Sequence, residues 1–323
     1  MDVKEVVNGI GDYLNVNDLK ISVLILTYNA SYDDLMNTVD SILKQKEIEL
    51  EIVISDDGST EFCIDEIGEY LNSKSFTNYK IIKNKTNVGT VKNFYYGLQN
   101  VSNEYVKDIS PGDMLYGEYA LRDWLRYVIE KKADWSFCNV IYYKYNNKKI
   151  IPIEVKTSPQ HIRIYNGSNF DKIRWQYFVL GDISVGAAMI FKKKTMLSYT
   201  EQIIDEVKYA EDNIFRMAMF DGVPFCFCDR YFVLYEYGTG ISTSKNEKWS
   251  KVIEKDFNVT NDILSKRDNV NCFQRKMIEA VQIIFGKNKF RKIFVKNYLI
   301  YRIYTKMFTR KSIPYLPKLE GTV

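Results

Sequence analysis

The chain has 323 residues, with 45 Lys and Arg against 41 Asp and Glu, for a formal net charge of +4. That length is enough for one large or two modest domains with a substantial core, and so weak a positive balance does not by itself imply a nucleic-acid partner; none is expected. Five cysteines and one histidine exclude a His-rich metal centre and leave Ser-His or Cys-His nucleophilic chemistry to His161 alone, which lies in a polar stretch with no activated nucleophile nearby.

The N-terminal stretch, residues 1–20, is polar and mixed in charge, unlike a signal peptide. It reads as an extension before the first strand. An odd number of cysteines with apolar neighbours points to reduced, buried thiols and a cytoplasmic location. No apolar run approaches the roughly 20 residues of a membrane span.

From residue 21 short strands alternate with amphipathic helices. ISVLIL (21–26) is a continuous apolar run, as expected of a strand covered on both faces. In 31–45, Leu35, Val39, Ile42 and Leu43 fall on one helical face. ELEIVIS (49–55) reads as the second strand, and 61–72 as a second helix carrying Ile64, Ile67 and Leu71. YKIIK (79–83) follows, then a helix over 89–101 with Val91, Phe94, Leu98 and Val101 on one side. EYVKDI (104–109) is a fourth strand, and 116–131 a fourth helix. This order implies a parallel, right-handed α/β sheet.

After residue 133 the pattern turns mixed: a long hairpin turning at Asn146-Asn147, a strand over 184–191, a helix over 209–222 ended by Gly222, and a returning strand through PFCFCDRYFVLYEY. The two halves are most simply one continuous sheet, a Rossmann-like mixed α/β sheet flanked by helices and spanning 21–244. Residues 245–323 read as a helical, basic and aromatic C-terminal region. Between Lys287 and Lys311 there are nine Lys or Arg and no Asp or Glu, interleaved with Phe290, Phe294, Tyr298, Tyr301, Tyr304 and Phe308. That composition suits a solvated helical face or a segment drawn to anionic lipid; RNA binding fits it too but has no supporting motif, and oligomeric state is left open.

Open α/β sheets bind ligands at the carboxyl ends of their strands. Here those ends carry Thr27-Tyr28-Asn29, Asp56-Asp57-Gly58-Ser59 and Ser110-Pro111-Gly112-Asp113. Singly, each has a plain explanation as a turn or helix cap; together they point to one polar crevice. Asp113 reads either as a metal ligand without companions or as a turn residue capping the next helix. No Gly-rich dinucleotide or P-loop motif is present.

ISVLILTYNA followed by EIVISDDGST resembles the N-terminal signature of family 2 glycosyltransferases of the GT-A fold. NKTNVGTVKN, EYVKDISPGDML, GAAMIFKKKTM, YAEDNIFRMAMFDG and YEYGTGIS continue the likeness in order to about residue 242. The resemblance implies inverting transfer of a sugar from a nucleoside diphosphate sugar to an acceptor hydroxyl. It implies that Thr27, Tyr28, Asn29, Asp57 and Asp56 hold the nucleoside. An Asp-imide contact favours a UDP-sugar. It implies Asp212 as general base, with Glu211 orienting it or the acceptor, against the plainer reading of acidic residues at a helix start.

The family's Asp-x-Asp-Asp, which holds Mn²⁺ or Mg²⁺, is here Ser110-Pro111-Gly112-Asp113. Asp113 is the surviving candidate ligand, and Ser110 would meet ribose or water. Lys92 or the YEYGTGIS loop would then offset diphosphate charge. The expected partners are a nucleotide-sugar donor and a surface-glycan acceptor. A lipid-linked saccharide is one such acceptor, and it matches a peripheral position at the inner face of the cell membrane through 287–311. The rival readings are a catalytically silent nucleotide-sugar-binding or scaffold member of the same fold and, less favoured because TYNASYDD is acidic, a sugar nucleotidylyltransferase.

Overall fold

The computed structural model describes residues 19–146, 149–240 and 247–308. The N-terminal extension before residue 19, the hairpin turn, the 241–246 stretch with the 244/245 boundary, and the chain after 308 lie outside the described residues. The parallel half runs β1 (Lys20–Thr27), α1 (Tyr32–Leu43), β2 (Glu49–Asp56), α2 (Ile64–Ser73), β3 (Tyr79–Lys83), α3 (Thr90–Asn100), β4 (Tyr105–Ile109), β5 (Met114–Leu115) and α4 (Ala120–Glu130). The mixed half runs β6 (Trp135–Asn146), β7 (Lys149–Pro152), α5 (Ile162–Tyr165), α6 (Phe170–Arg174), β8 (Met189–Lys192), α7 (Lys193–Ile203), α8 (Asn213–Asp221) and β9 (Phe225–Glu236). Three helices close the described chain: α9 (Glu247–Ser265), α10 (Cys272–Phe285) and α11 (Tyr298–Met307).

All nine strands form one sheet in the order β3-β2-β1-β4-β8-β6-β9-β5, with β7 beside β6. The first four are parallel; β8 runs antiparallel to β4 and β6, and β9 lies parallel to β6. Strand order therefore reverses between β1 and β4, where a crevice opens at the strands' carboxyl ends. Period-two alternation divides β1 between two cores. Ile21, Val23 and Ile25 pack with α1, α2 and α4, whereas Leu24 and Leu26 pack with α3, α7 and α8. Gly97 lets α3 approach closely, since a Cβ there would lie 2.5 Å from Leu24 Cδ1.

The expected helical faces are mostly buried: Leu35, Val39 and Ile42 on α1, and Val91, Phe94 and Leu98 on α3, while Ile64 is exposed at the first turn of α2. Ser31 caps α1 by accepting from Asp34 N at 3.1 Å. Three boundaries differ from the sequence pattern. The fourth helix begins at Ala120, not 116, because Met114 and Leu115 pair with Leu234 and Val233 of β9. The strand expected over 184–191 is a 3₁₀ turn over Gly186–Ala188 followed by β8. The helix expected from 209 begins at Asn213, because the Tyr209 and Ala210 amides donate to Asp256 of α9. Asn146 still pairs with Lys149 in the hairpin, so β6 extends through it. Cys138, Cys226 and Cys228 are buried, as expected, but Cys63 and Cys272 are exposed.

The helices after residue 247 join the same body. Leu264 of α9 and Met277, Ala280 and Val281 of α10 belong to the core on the α8 side of the sheet. Arg216 of α8 is fully buried there, its guanidinium 4.7 Å from the Phe257 ring centroid and hydrogen-bonded to Asn261 at 3.1 Å.

Candidate active site

A cleft of about 600 Å³ opens at the strand-order reversal, within the range of small-molecule sites. Of the residues singled out from sequence, Thr27, Tyr28, Asp57, Ser110, Asp113, Glu211 and Asp212 line it. Asp56, Asn29 and Lys92 are not among its lining residues.

The end formed by β1 and β2 is tightly hydrogen-bonded. Asp57 is buried, and its carboxylate accepts from Val88 N at 2.8 Å, Gly89 N at 2.9 Å and Asn84 Nδ2 at 3.2 Å. A carboxylate offers about four acceptor positions, so one remains for a ligand. Asp56 is fully buried and folds the DDGS turn, accepting from Ser59 N at 2.8 Å and from the Ser59 hydroxyl. Asn29 adopts φ 48° and ties its loop to that turn: its N–H donates to Ser59 Oγ at 2.7 Å, and its Oδ1 accepts from Thr60 N at 3.3 Å. Lys92 points elsewhere on α3, 3.6 Å from Asp205 in an exposed ion pair. These three act on the frame around the cleft.

Asp113 caps no helix, since β5 intervenes before α4. It is buried, and its Oδ1 accepts from Glu236 N at 2.9 Å. Burial pushes its carboxyl up to about 7; Glu236 N and Lys107 pull it back, and the Glu236 and Asp108 charges add to the rise. Gly112 has φ +94°, and a Cβ there would collide with the Glu236 carboxylate. The space beside a side-chain-free position is thus taken by a carboxylate from β9. Glu236 lines the cleft and accepts from Thr239 Oγ1 at 3.2 Å.

Across the cleft, Asp212 stands before α8 with no side-chain cap bond. Its Oδ1 is buried without a hydrogen-bond partner. Gly186 permits this placement, because a Cβ there would lie 2.5 Å from that oxygen. Burial raises the Glu211 and Asp212 carboxyls, and the Asp108 charge adds to both. Asp108 is itself buried on β4 with Oδ1 unpartnered, and burial lifts its carboxyl to about 6. Asp256 holds the backbone leading to the pair, accepting from Tyr209 N at 2.8 Å and Ala210 N at 3.1 Å. Ser250, Ile253 and Phe257 of α9 complete that wall.

Sequence reading missed Glu236, Gly186, Asp108 and Asp256. Asp108 carried a visible signal, a carboxylate inside an otherwise buried strand. Glu236 lay in the YEYGTGIS stretch without being singled out, and Asp256 carried no signal, because long-range packing alone brings it to the approach to α8.

The profile of glycosyl transferase family 2 matches residues 22–196, more than half of the chain. The chain belongs to glycosyl transferase family 2. Proteins of similar sequence include the glycosyltransferase GlyA of Streptococcus pneumoniae serotype 4, 30% identical over 133 residues, covering 41% of this chain and 18% of the relative. An uncharacterized glycosyltransferase of Haemophilus influenzae is 34% identical over 95 residues, covering 29% and 28%. The chain thus spans less than a third of the length of either curated relative. Solved structures share the fold at low identity. S. aureus TarS 1–349 in complex with UDP-GlcNAc superposes with TM-score 0.53 at 17% identity, covering 88% of this chain and 81% of that one. The mannosyltransferase PcManGT from Pyrobaculum calidifontis, in complex with GDP-Man and Mn²⁺, superposes with TM-score 0.56 at 11% identity, covering 88% and 74%. The family 2 sheet expected from the sequence is therefore the fold of this chain, of GT-A type.

The PcManGT structure holds Mn²⁺ as well as GDP-Man. Among the described residues no group of three or more His, Cys, Asp and Glu is placed to hold a metal ion. Asp113 and Glu236 nonetheless both line the cleft, and the Glu236 N–H donates to Asp113 Oδ1. Two carboxylates with phosphate oxygens and water suffice for Mg²⁺-type coordination, so the donor set fits a cation bound together with a diphosphate.

Proposed function

We propose that the protein is an inverting glycosyltransferase that moves a sugar from a nucleoside diphosphate sugar, a UDP-sugar, to a hydroxyl of a surface-glycan acceptor. The observation that carries this reading is the Asp212 carboxylate, which lines the same cleft as Thr27, Tyr28 and Asp57 and keeps its buried Oδ1 without a hydrogen-bond partner. The free acceptor position of Asp57 suits the imide N–H of uracil. Ser110, which lines the cleft at the β4 end, would meet ribose or bound water.

In the reaction, the acceptor oxygen attacks the anomeric carbon while the bond from that carbon to the diphosphate oxygen breaks. The acceptor proton passes to Asp212, and the nucleoside diphosphate leaves with the bonding electron pair. The raised carboxyl of Asp212 suits a base that must hold a proton after transfer. Glu211, whose carboxyl is also raised by burial and by the neighbouring Asp212 charge, would orient Asp212 or the acceptor. Asp113 and Glu236 would hold Mn²⁺ or Mg²⁺. When bound, such an ion neutralises charge on the diphosphate. The Gly238–Gly240 stretch, with Gly238 at φ 102° and Thr239 and Gly240 on the cleft, supplies backbone freedom for closure over the donor.

The test is thermal unfolding with UDP, GDP, CDP and dTDP, with and without Mn²⁺, followed by a UDP-sugar turnover screen. A ligand at 100 times its Kd stabilises by about 2.7 kcal/mol. UDP should raise the transition most, and Mn²⁺ should add to UDP in the wild type but not in Asp113→Ala. Stabilisation by UDP without turnover of any UDP-sugar would favour a silent nucleotide-sugar-binding protein. No response to any nucleotide would reject the reading.

A further inference from the structure

Nine of the fifteen exposed large apolar side chains among the described residues lie between Phe285 and Phe308. They occupy the end of α10, a 3₁₀ turn over Arg291–Phe294, and α11. Phe290 is 80% exposed, Phe294 82% and Met307 70%. The segment is held firmly from below. Val295 is buried, Trp175 Nε1 donates to Lys296 O at 2.9 Å, and Tyr304 stacks on His161 with centroids 4.0 Å apart. Tyr298 and Tyr301 pack against the core. At 100° per residue, Leu299, Ile300, Ile303 and Met307 fall within an arc of about 100° on α11, and all four are exposed. The half-buried Tyr298, Tyr301 and Tyr304 occupy the other side.

Around this apolar face stand exposed Lys287, Lys289, Arg291, Lys296, Arg302 and Lys306, in a stretch with no Asp or Glu from 287 to 311. We propose that this face lies on an anionic lipid bilayer, with the Phe, Leu, Ile and Met side chains at the acyl boundary and the Lys and Arg heads on lipid phosphates. Charge selects the occupant. A second copy would set two such cationic rims against one another, whereas an anionic bilayer complements both the apolar face and its rim. The face lies outside the residues that line the cleft, so the inference does not rest on the proposed transfer reaction.

The test is co-sedimentation of the full chain with phosphatidylcholine vesicles, with and without about one third phosphatidylglycerol. The wild type should pellet with the anionic vesicles only, and less so as salt rises. The double variants Phe290→Ser/Phe294→Ser and Arg302→Glu/Lys306→Glu should each bind about tenfold more weakly, a loss of about 1.4 kcal/mol. Both pairs are exposed, so unchanged melting temperatures should show that the variants fold. Failure of the wild type to bind anionic vesicles at low salt would overturn the proposal, as would variants that bind as well as wild type. A wild-type dimer in light scattering that the Phe290→Ser/Phe294→Ser variant converts to monomer would also overturn it, assigning the face to a second copy.

Discussion

Four buried carboxylates in and behind the two sides of the cleft are treated in opposite ways. On the β1–β2 wall, Asp56 and Asp57 are buried with both oxygens hydrogen-bonded to nearby backbone or side-chain donors. On the wall formed by β4 and the approach to α8, Asp108 and Asp212 each keep a buried oxygen without a partner, and burial raises their carboxyls. Satisfied carboxylates build a fixed cradle. Unsatisfied ones carry a free-energy cost that a ligand or a proton can relieve. The difference separates the wall that shapes the cleft from the wall where chemistry is expected.

The sharpest way to break that distinction is Asp212→Asn. It is nearly isosteric, so UDP-induced stabilisation should stay within about twofold of wild type in apparent affinity, while sugar transfer should fall by about 10²–10⁴-fold, the range for loss of a general base. Equal losses of binding and turnover would instead make Asp212 part of the nucleotide cradle. Activity should also fall as pH drops and Asp212 becomes protonated, because the acceptor proton then has no place to go.

The second prediction concerns stability against pH. Asp113 has a folded carboxyl near 7 against an ordinary value near 4. A group raised on folding binds its proton more tightly in the native state. Its stabilisation is therefore full below about pH 4 and is lost as pH rises through about 7. Melting curves from pH 4 to 8, taken without metal, should show a fall of the order of a few kcal/mol, and Asp113→Asn should flatten it. An unchanged slope in the variant would move the effect to Asp108 and the Glu211–Asp212 pair, which titrate in the same direction.

Much of the cradle wall was legible in the sequence, and little of the opposing wall was. Thr27, Tyr28 and Asp57 sit where apolar strands end in polar residues, a local pattern. Asp56 and Asn29 share that pattern, yet local hydrogen bonding turns both to the frame, and residue types alone do not separate them from Asp57. Glu211 and Asp212 were singled out through resemblance, but their geometry depends on Gly186, which leaves room for the Asp212 carboxylate, and on Asp256, 44 residues further along. Glu236 reaches Gly112 only because β9 pairs with β5. The parallel half follows from period and sequence order; the far wall is assembled by long-range pairing that no local window contains.

Asp256→Ala tests that long-range support. It leaves the Tyr209 and Ala210 amides without their acceptor, which costs about 1–3 kcal/mol when such groups are buried. Thermal unfolding should register the loss, and turnover should fall more than UDP affinity does, since the clamp holds the base and not the cradle. Asp256→Asn, which keeps one acceptor oxygen, should recover part of both. A variant with wild-type stability and turnover would show that the Glu211–Asp212 approach holds its place without α9.

The smallest effect is expected at Lys92. Its Nζ is 3.6 Å from Asp205, with relative side-chain exposures of 39% and 89%. A pair so exposed gains little Coulomb energy, is screened by salt, and contributes about 0–1 kcal/mol. Lys92→Ala should therefore leave stability and UDP affinity within about twofold of wild type. The substitution discriminates because a lysine that met the diphosphate would show the reverse. UDP affinity would drop by tenfold or more, with a steep dependence on ionic strength, and stability would not change. That result would require α3 to turn its Lys92 face toward the cleft when a donor binds, and the cradle wall would then be a moving part and not a fixed one.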